Sequence, residues 1–169
     1  MANKSVVRLD DSRFPNTDIY SVRGTVILEN GFVGKLGEVE AGNPDVRKLE
    51  KPAAGDKLVL IANPAIAYDN TRLGANLESE YNMAAGEAVR AYKPHATYIY
   101  SVTKEAINGT PVVGEYLIAG DGYKLVPSAT PAEAGFTAKI IRKDAVGGKA
   151  SFNVTQAPQE YFVLDVIAN

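Results

Sequence analysis

Apolar and polar positions along this chain alternate in short runs, each closed by a glycine or an Asn-Gly pair. Ile19, Tyr20, Val22, Thr25, Val26 and Ile27 fill residues 19–29, Asn30-Gly31 interrupts them, and Phe32-Val33 resumes the pattern. Asn-Gly between apolar runs predicts a type I′ hairpin, because both residues tolerate the positive φ that the turn requires. Gly42-Asn43-Pro44-Asp45 and Pro52-Ala53-Ala54-Gly55-Asp56 read as further turns. Between the latter and Asn63-Pro64, the run Lys57–Ala62 predicts a short buried strand. Residues 65–91 break this texture. Leu73, Leu77, Tyr81, Ala84 and Ala88 recur every three or four positions, with Glu78, Glu80 and Glu87 between them. That spacing predicts a short amphipathic helix over 70–86, capped by Asn70 or Thr71 and ended by Gly86.

The β texture then returns. Tyr98–Thr103 is strongly β-prone, Asn108-Gly109 is a second turn, and Pro111–Ile118 and Tyr123–Val126 read as strands. Phe136–Arg142 alternates, Gly147-Gly148 predicts a hairpin turn, and Ser151–Thr155 is expected to pair back across it. Tyr161–Ile167 is a continuous apolar run, as befits a central strand buried on both faces.

Within this pattern Ile19-Tyr20-Ser21-Val22 comes back unchanged as Ile99-Tyr100-Ser101-Val102. The same punctuation follows each copy in the same order: Asn-Gly, Gly-Glu, Ala-Gly, Lys-Leu, and a second Ala-Gly at Ala54-Gly55 and Ala134-Gly135. The shared residues form turns and strands, so the repeat speaks of architecture. The expected fold is mainly β: a barrel or sandwich built from two similar β-rich halves, with one short helix. Residues 1–18 carry no sustained core periodicity and read as an extended N-terminal arm that a partner surface orders. The first half then spans 19–95 and the second 96–169.

Composition narrows the function. Eighteen basic against twenty acidic residues, a net charge of −2, argue against a dedicated nucleic-acid binder. The absence of cysteine excludes disulfides, thiol catalysis and Cys-ligated zinc, and fits assembly in a reducing cytoplasm. No apolar run approaches the ~20 residues that span a bilayer, and the N-terminus lacks the apolar core of a signal peptide.

Candidate chemistry is sparse. His95, the one histidine, follows Pro94 with no Ser or Asp motif beside it, so a loop residue is favoured over a general base. Asp69, Glu78, Glu80 and Glu87 fit a solvated helix face better than a glycosidase pair. No phosphate-binding or dinucleotide glycine pattern and no calcium-loop spacing is present, so neither cofactor nor metal is expected. Nine tyrosines and no tryptophan invite a binding reading, set against the plain one that tyrosine is an ordinary strand residue at the rim of a sheet. Tyr20 and Tyr100 are equivalent in the repeat and read as structural; Tyr68, Tyr81, Tyr92 and Tyr116 are left as contact candidates. The unshared additions carry the expected partner contacts: Val6, Val7, Leu9 and Phe14 in the arm, and Tyr68 and Tyr81 around the predicted helix. The chain is therefore expected to be a binding or structural protein and no enzyme, with a carbohydrate-binding β module as one alternative.

Gly55–Pro64, Tyr68-Asp69, Ala85–Tyr92 and Tyr98–Thr103, taken in order, resemble small structural proteins of tailed bacteriophages, in particular capsid decoration (head auxiliary or cement) proteins. The resemblance covers roughly residues 19–126 and rests on turns and strands. It implies a virion protein on the capsid exterior, made in the host cytoplasm, whose partner is the major capsid protein and which often trimerises at local threefold positions. A tail or baseplate role is the related alternative.

Overall fold

A computed structural model describes residues 3–13, 18–65, 78–146, 150–151, 154–155 and 159–169. It is mainly β. The strands are β1 (Val7–Arg13), β2 (Ile19–Arg23), β3 (Val33–Glu40), β4 (Asn43–Glu50), β5 (Val59–Ile61), β6 (Ala88–Tyr92), β7 (Ile99–Thr103), β8 (Tyr116–Ile118), β9 (Val126–Ser128), β10 (Thr137–Val146), β11 (Ala150–Ser151), β12 (Val154–Thr155) and β13 (Gln159–Ala168). Strands β2–β6 close into a five-stranded barrel in the order β2-β4-β3-β5-β6, with β2 and β4 parallel. A six-stranded antiparallel sheet runs β1-β7-β13-β10-β8-β9, and β11 and β12 form a separate ribbon. Among the described residues no helix is long and apolar enough to cross a membrane.

The two repeated runs become β2 and β7, each five residues long, and Val22 and Val102 are both fully buried. Their surroundings differ. β2 lies between β4 and β6 in the barrel, whereas β7 lies between β1 and β13 in the sheet. Tyr20 is accordingly half-buried beneath the barrel core while Tyr100 is completely enclosed.

β5 explains why Lys57–Ala62 is apolar without alternation. Leu58 and Leu60 belong to the core under the sheet, with Tyr100, Phe136 and Leu164. Val59 and Ile61 belong to the barrel core, with Val22, Leu49 and Met83. Successive strand side chains face opposite ways, so this one short segment fills two cores at once. Tyr161–Leu164 in β13 are also buried without a break, Phe162 and Leu164 in the sheet core, as expected of a central strand.

Several sequence expectations change. The described part of the arm is built into the fold: β1 pairs with β7, matching Val7 to Val102 and Arg8 to Ser101. Val6 donates its N–H to Thr103 Oγ1 (3.1 Å) and accepts from the Thr103 N–H (3.0 Å). Asn30-Gly31 is no hairpin turn, since β2 and β3 do not pair and Gly31 donates instead to the Ile61 carbonyl (2.8 Å). Asn108-Gly109 likewise joins no hairpin; the Asn108 N–H bonds to the Leu125 carbonyl (2.8 Å). The β3–β4 hairpin turns two residues earlier than predicted, at Ala41-Gly42 between the paired Glu40 and Asn43, where Gly42 takes φ +82°, so Pro44 lies inside β4. β11 pairs with β12, matching Ala150 to Thr155 and Ser151 to Val154, so these residues pair with each other and not back across Gly147-Gly148, which lies outside the described residues.

The predicted helix over 70–86 lies partly outside the described residues, at 70–77. From Glu78 the chain forms one 3₁₀ turn, Glu78–Glu80, and then a bridge between Met83 and Leu28. Both backbone groups of Met83 bond to Leu28 (2.9 and 3.0 Å), and its side chain is fully buried in the barrel. A ladder contact that buries Met83 outweighs the weak helical spacing.

Candidate partner-binding groove

Residues 4–6 are threaded into the molecule by a polar seam. Lys4 Nζ pairs with Glu29 (3.1 Å), and the Lys4 N–H donates to the Ser79 carbonyl (2.8 Å). The Ser5 N–H donates to Glu29 Oε2 (2.8 Å), and Ser5 Oγ to the Asn30 carbonyl (2.7 Å). Asn30 is buried, and its side-chain amide behaves like a strand edge. Its Nδ2 donates to the Asn63 carbonyl (2.9 Å), and its Oδ1 accepts from the Asn63 N–H (2.8 Å). Asn63 Nδ2 in turn donates to the Tyr81 hydroxyl (2.9 Å). Along this seam the side-chain polar atoms of Ser5 and Asn30 all find partners, as low-dielectric surroundings demand.

A groove of about 220 Å³ opens over this seam. Val7 and Leu9 supply apolar surface, Asn30 and Asn63 the floor, and Glu78 and Arg90 opposite charges. Four of the sequence candidates, Val6, Val7, Leu9 and the buried Tyr92, therefore line one groove, and Tyr81 stands one residue away through Asn63. Their roles differ from expectation. Val6 is 1% exposed and serves the protein's own core. Val7 and Leu9 are half-buried against the sheet core and keep one flank open. Tyr81 packs against the barrel core while its hydroxyl holds Asn63. Phe14 and Tyr68 lie outside the described residues. Asn30, Asn63, Glu78 and Arg90 complete the groove from positions that no sequence pattern connects.

The other candidates have local jobs. His95 Nε2 meets Asp18 Oδ2 at 2.8 Å, and its ring stands edge-on to Tyr98 with centroids 5.3 Å apart. This cluster fastens the link between β6 and β7, where the Tyr98 N–H also bonds to the His95 carbonyl (3.1 Å). Glu87 caps its own turn by accepting from the Ala84 N–H (2.9 Å). Tyr116 lies under Lys139 Nζ at 6.0 Å from the ring centre. Burial pushes the Tyr100 and Tyr123 hydroxyls above the ordinary phenol pKa. Among the described residues no group of three or more His, Asp or Glu side chains that could hold a metal ion is found.

No family model, curated protein or solved structure matched the chain in comparisons with known proteins.

Proposed function

We propose that this chain is a non-enzymatic virion structural protein that binds the outer surface of a phage capsid and reinforces contacts between major capsid protein subunits. The observation that carries the reading is the groove beside β1. An edge strand offers backbone N–H and C=O groups along its outer side, and a partner strand can add there. The adjoining groove offers Val7 and Leu9 for apolar contact and the Glu78/Arg90 pair for orientation. The mechanism is burial of area across subunit boundaries, with backbone pairing setting register and side chains setting specificity. The resemblance of residues 19–126 to decoration proteins points to the same partner, and a trimer at a local threefold axis is the expected arrangement.

Incubating the protein with undecorated heads and pelleting them tests this reading. Saturable co-sedimentation is expected, one trimer for each threefold position. A protein that stays in the supernatant at saturating concentration, or that labels tails in electron micrographs, would overturn the assignment to the shell.

A further inference from the structure

We propose a second binding site, at one mouth of the barrel, for a small amphipathic anion: an organic acid with an apolar body. The barrel's closing geometry brings together the start of β2, the end of β6, the start of β5 and the Lys35-Leu36 step of β3. A cleft of about 420 Å³ lies there, within the range of pockets that enclose small ligands. Its floor is apolar: Tyr20, Leu36 and Val59 line it, and all three pack into the barrel core. Its rim carries Lys35, Lys57 and Lys93 against a single carboxylate, Asp56.

That carboxylate is already occupied. Asp56 accepts from the Ala53 N–H (2.9 Å) and from Lys35 Nζ (3.0 Å). Asp18, whose carbonyl accepts from the Lys93 N–H, has its own carboxylate on His95. Among the described residues Lys57 and Lys93 enter no ion pair. Two uncommitted ammonium groups thus overhang an apolar, aromatic-floored cleft. A neutral apolar ligand would leave them unused, and a simple inorganic anion would leave the floor wet. A ligand with both an apolar body and an acidic head satisfies both parts, its head meeting the two lysines and its body covering Leu36 and Val59. The site is separate from the β1 groove, and its test is independent of the virion role.

Octanoate and octanol serve as matched probes, titrated into the full chain while backbone amide NMR shifts are followed. Octanoate is expected to bind saturably, moving the amides of Leu36, Lys57 and Val59, and octanol to bind roughly fivefold or more weakly. The double variant K57Q/K93Q should keep its melting temperature, since both side chains reach solvent, and should lose the preference for octanoate. Equal affinity for the two probes, no saturable octanoate binding, shifts confined to another region, or an undiminished preference in K57Q/K93Q would each overturn the proposal.

Discussion

The backbone of Gly135 lies directly against that of Gly55: a methyl group placed on Gly135 would stand 2.2 Å from the Gly55 carbonyl oxygen. These are the matching glycines of the two repeated Ala-Gly pairs. Both take positive φ, +83° and +78°, and the Phe136 N–H bonds to the Asp56 carbonyl (3.0 Å) beside them. The repeat thus meets itself where the barrel's turn rests on the sheet. Gly135→Ala is expected to cost about 3 kcal/mol or more, combining left-handed strain with a backbone collision. Gly114→Ala, also at positive φ but with nothing within 4 Å, isolates the strain and should cost only about 1 kcal/mol. Urea unfolding of the two variants checks the difference.

Both ends of β5 are closed by side-chain amides. Asn169 Oδ1 accepts from the Leu58 N–H (2.6 Å) and its Nδ2 donates to the Leu58 carbonyl (2.9 Å), as Asn30 does for Asn63 at the other end. Asn30→Ala and Asn169→Ala should each destabilise by about 1–3 kcal/mol, because each leaves a backbone pair without its partner. Asn30→Asp keeps the acceptor and loses the donor, and should be no milder than Asn30→Ala. Chemical denaturation midpoints decide this.

Acid should loosen the Gly55–Gly135 contact through Asp56. The hydrogen bond from the Ala53 N–H, followed by that from Lys35, holds the Asp56 carboxyl below its ordinary value of 3.8. A lowered folded-state pKa contributes stability above the unfolded value and loses it as pH falls through the folded one. Melting temperature should therefore decline below about pH 4, and Asp56→Asn should flatten that part of the profile. Equal slopes in the two proteins would sink the idea.

Alkali acts in the opposite sense on Tyr100. Burial raises its hydroxyl above the ordinary phenol value of 10.0, so folding favours the protonated phenol. Stability is intact below pH 10 and falls as the unfolded chain begins to ionise, at up to about 1.4 kcal/mol per pH unit for each such tyrosine. Tyr100→Phe should show a shallower decline between pH 10 and 11, with Tyr123 supplying the remainder.

The groove beside β1 predicts a charge effect on head binding. Arg90 is exposed and lines the groove, so Arg90→Glu should weaken co-sedimentation about tenfold while leaving thermal stability unchanged. Restoration of binding by Glu78→Lys in that background would identify the pair as the orienting element.

What the linear pattern could show depended on whether neighbours in sequence decided the structure. Lys57–Ala62, Tyr98–Thr103 and Tyr161–Ile167 were legible as strands because each is a dense run of β-branched, aromatic or aliphatic residues. β1 was not, since only Val7 and Leu9 alternate and their ladder partner lies in β7, with Val6 bonding to Thr103 97 positions away. Asn30-Gly31 does turn the chain, with the Phe32 N–H bonding to the Glu29 carbonyl (3.1 Å), but the strands on either side of it pair elsewhere and the Asn30 amide is spent on Asn63. Met83 falls inside the segment 70–86 whose spacing reads as helical without belonging to that spacing, and its bridge to Leu28 builds it into the barrel instead. The groove was half legible: apolar Val7 and Leu9 stand out, whereas Glu78 and Arg90 reach it only through tertiary structure. The lysines of the barrel mouth, at 35, 57 and 93, have no linear signature at all.

The double allegiance of β5 has a kinetic consequence. Because Leu58 and Leu60 anchor one core and Val59 and Ile61 the other, neither lobe can open without exposing the strand that the remaining lobe needs. Barrel and sheet should therefore melt as one cooperative unit, with a single calorimetric transition. The amides of Val59, Leu60 and Ile61 should exchange with solvent only through global unfolding, making this three-residue strand the slowest clock in the molecule.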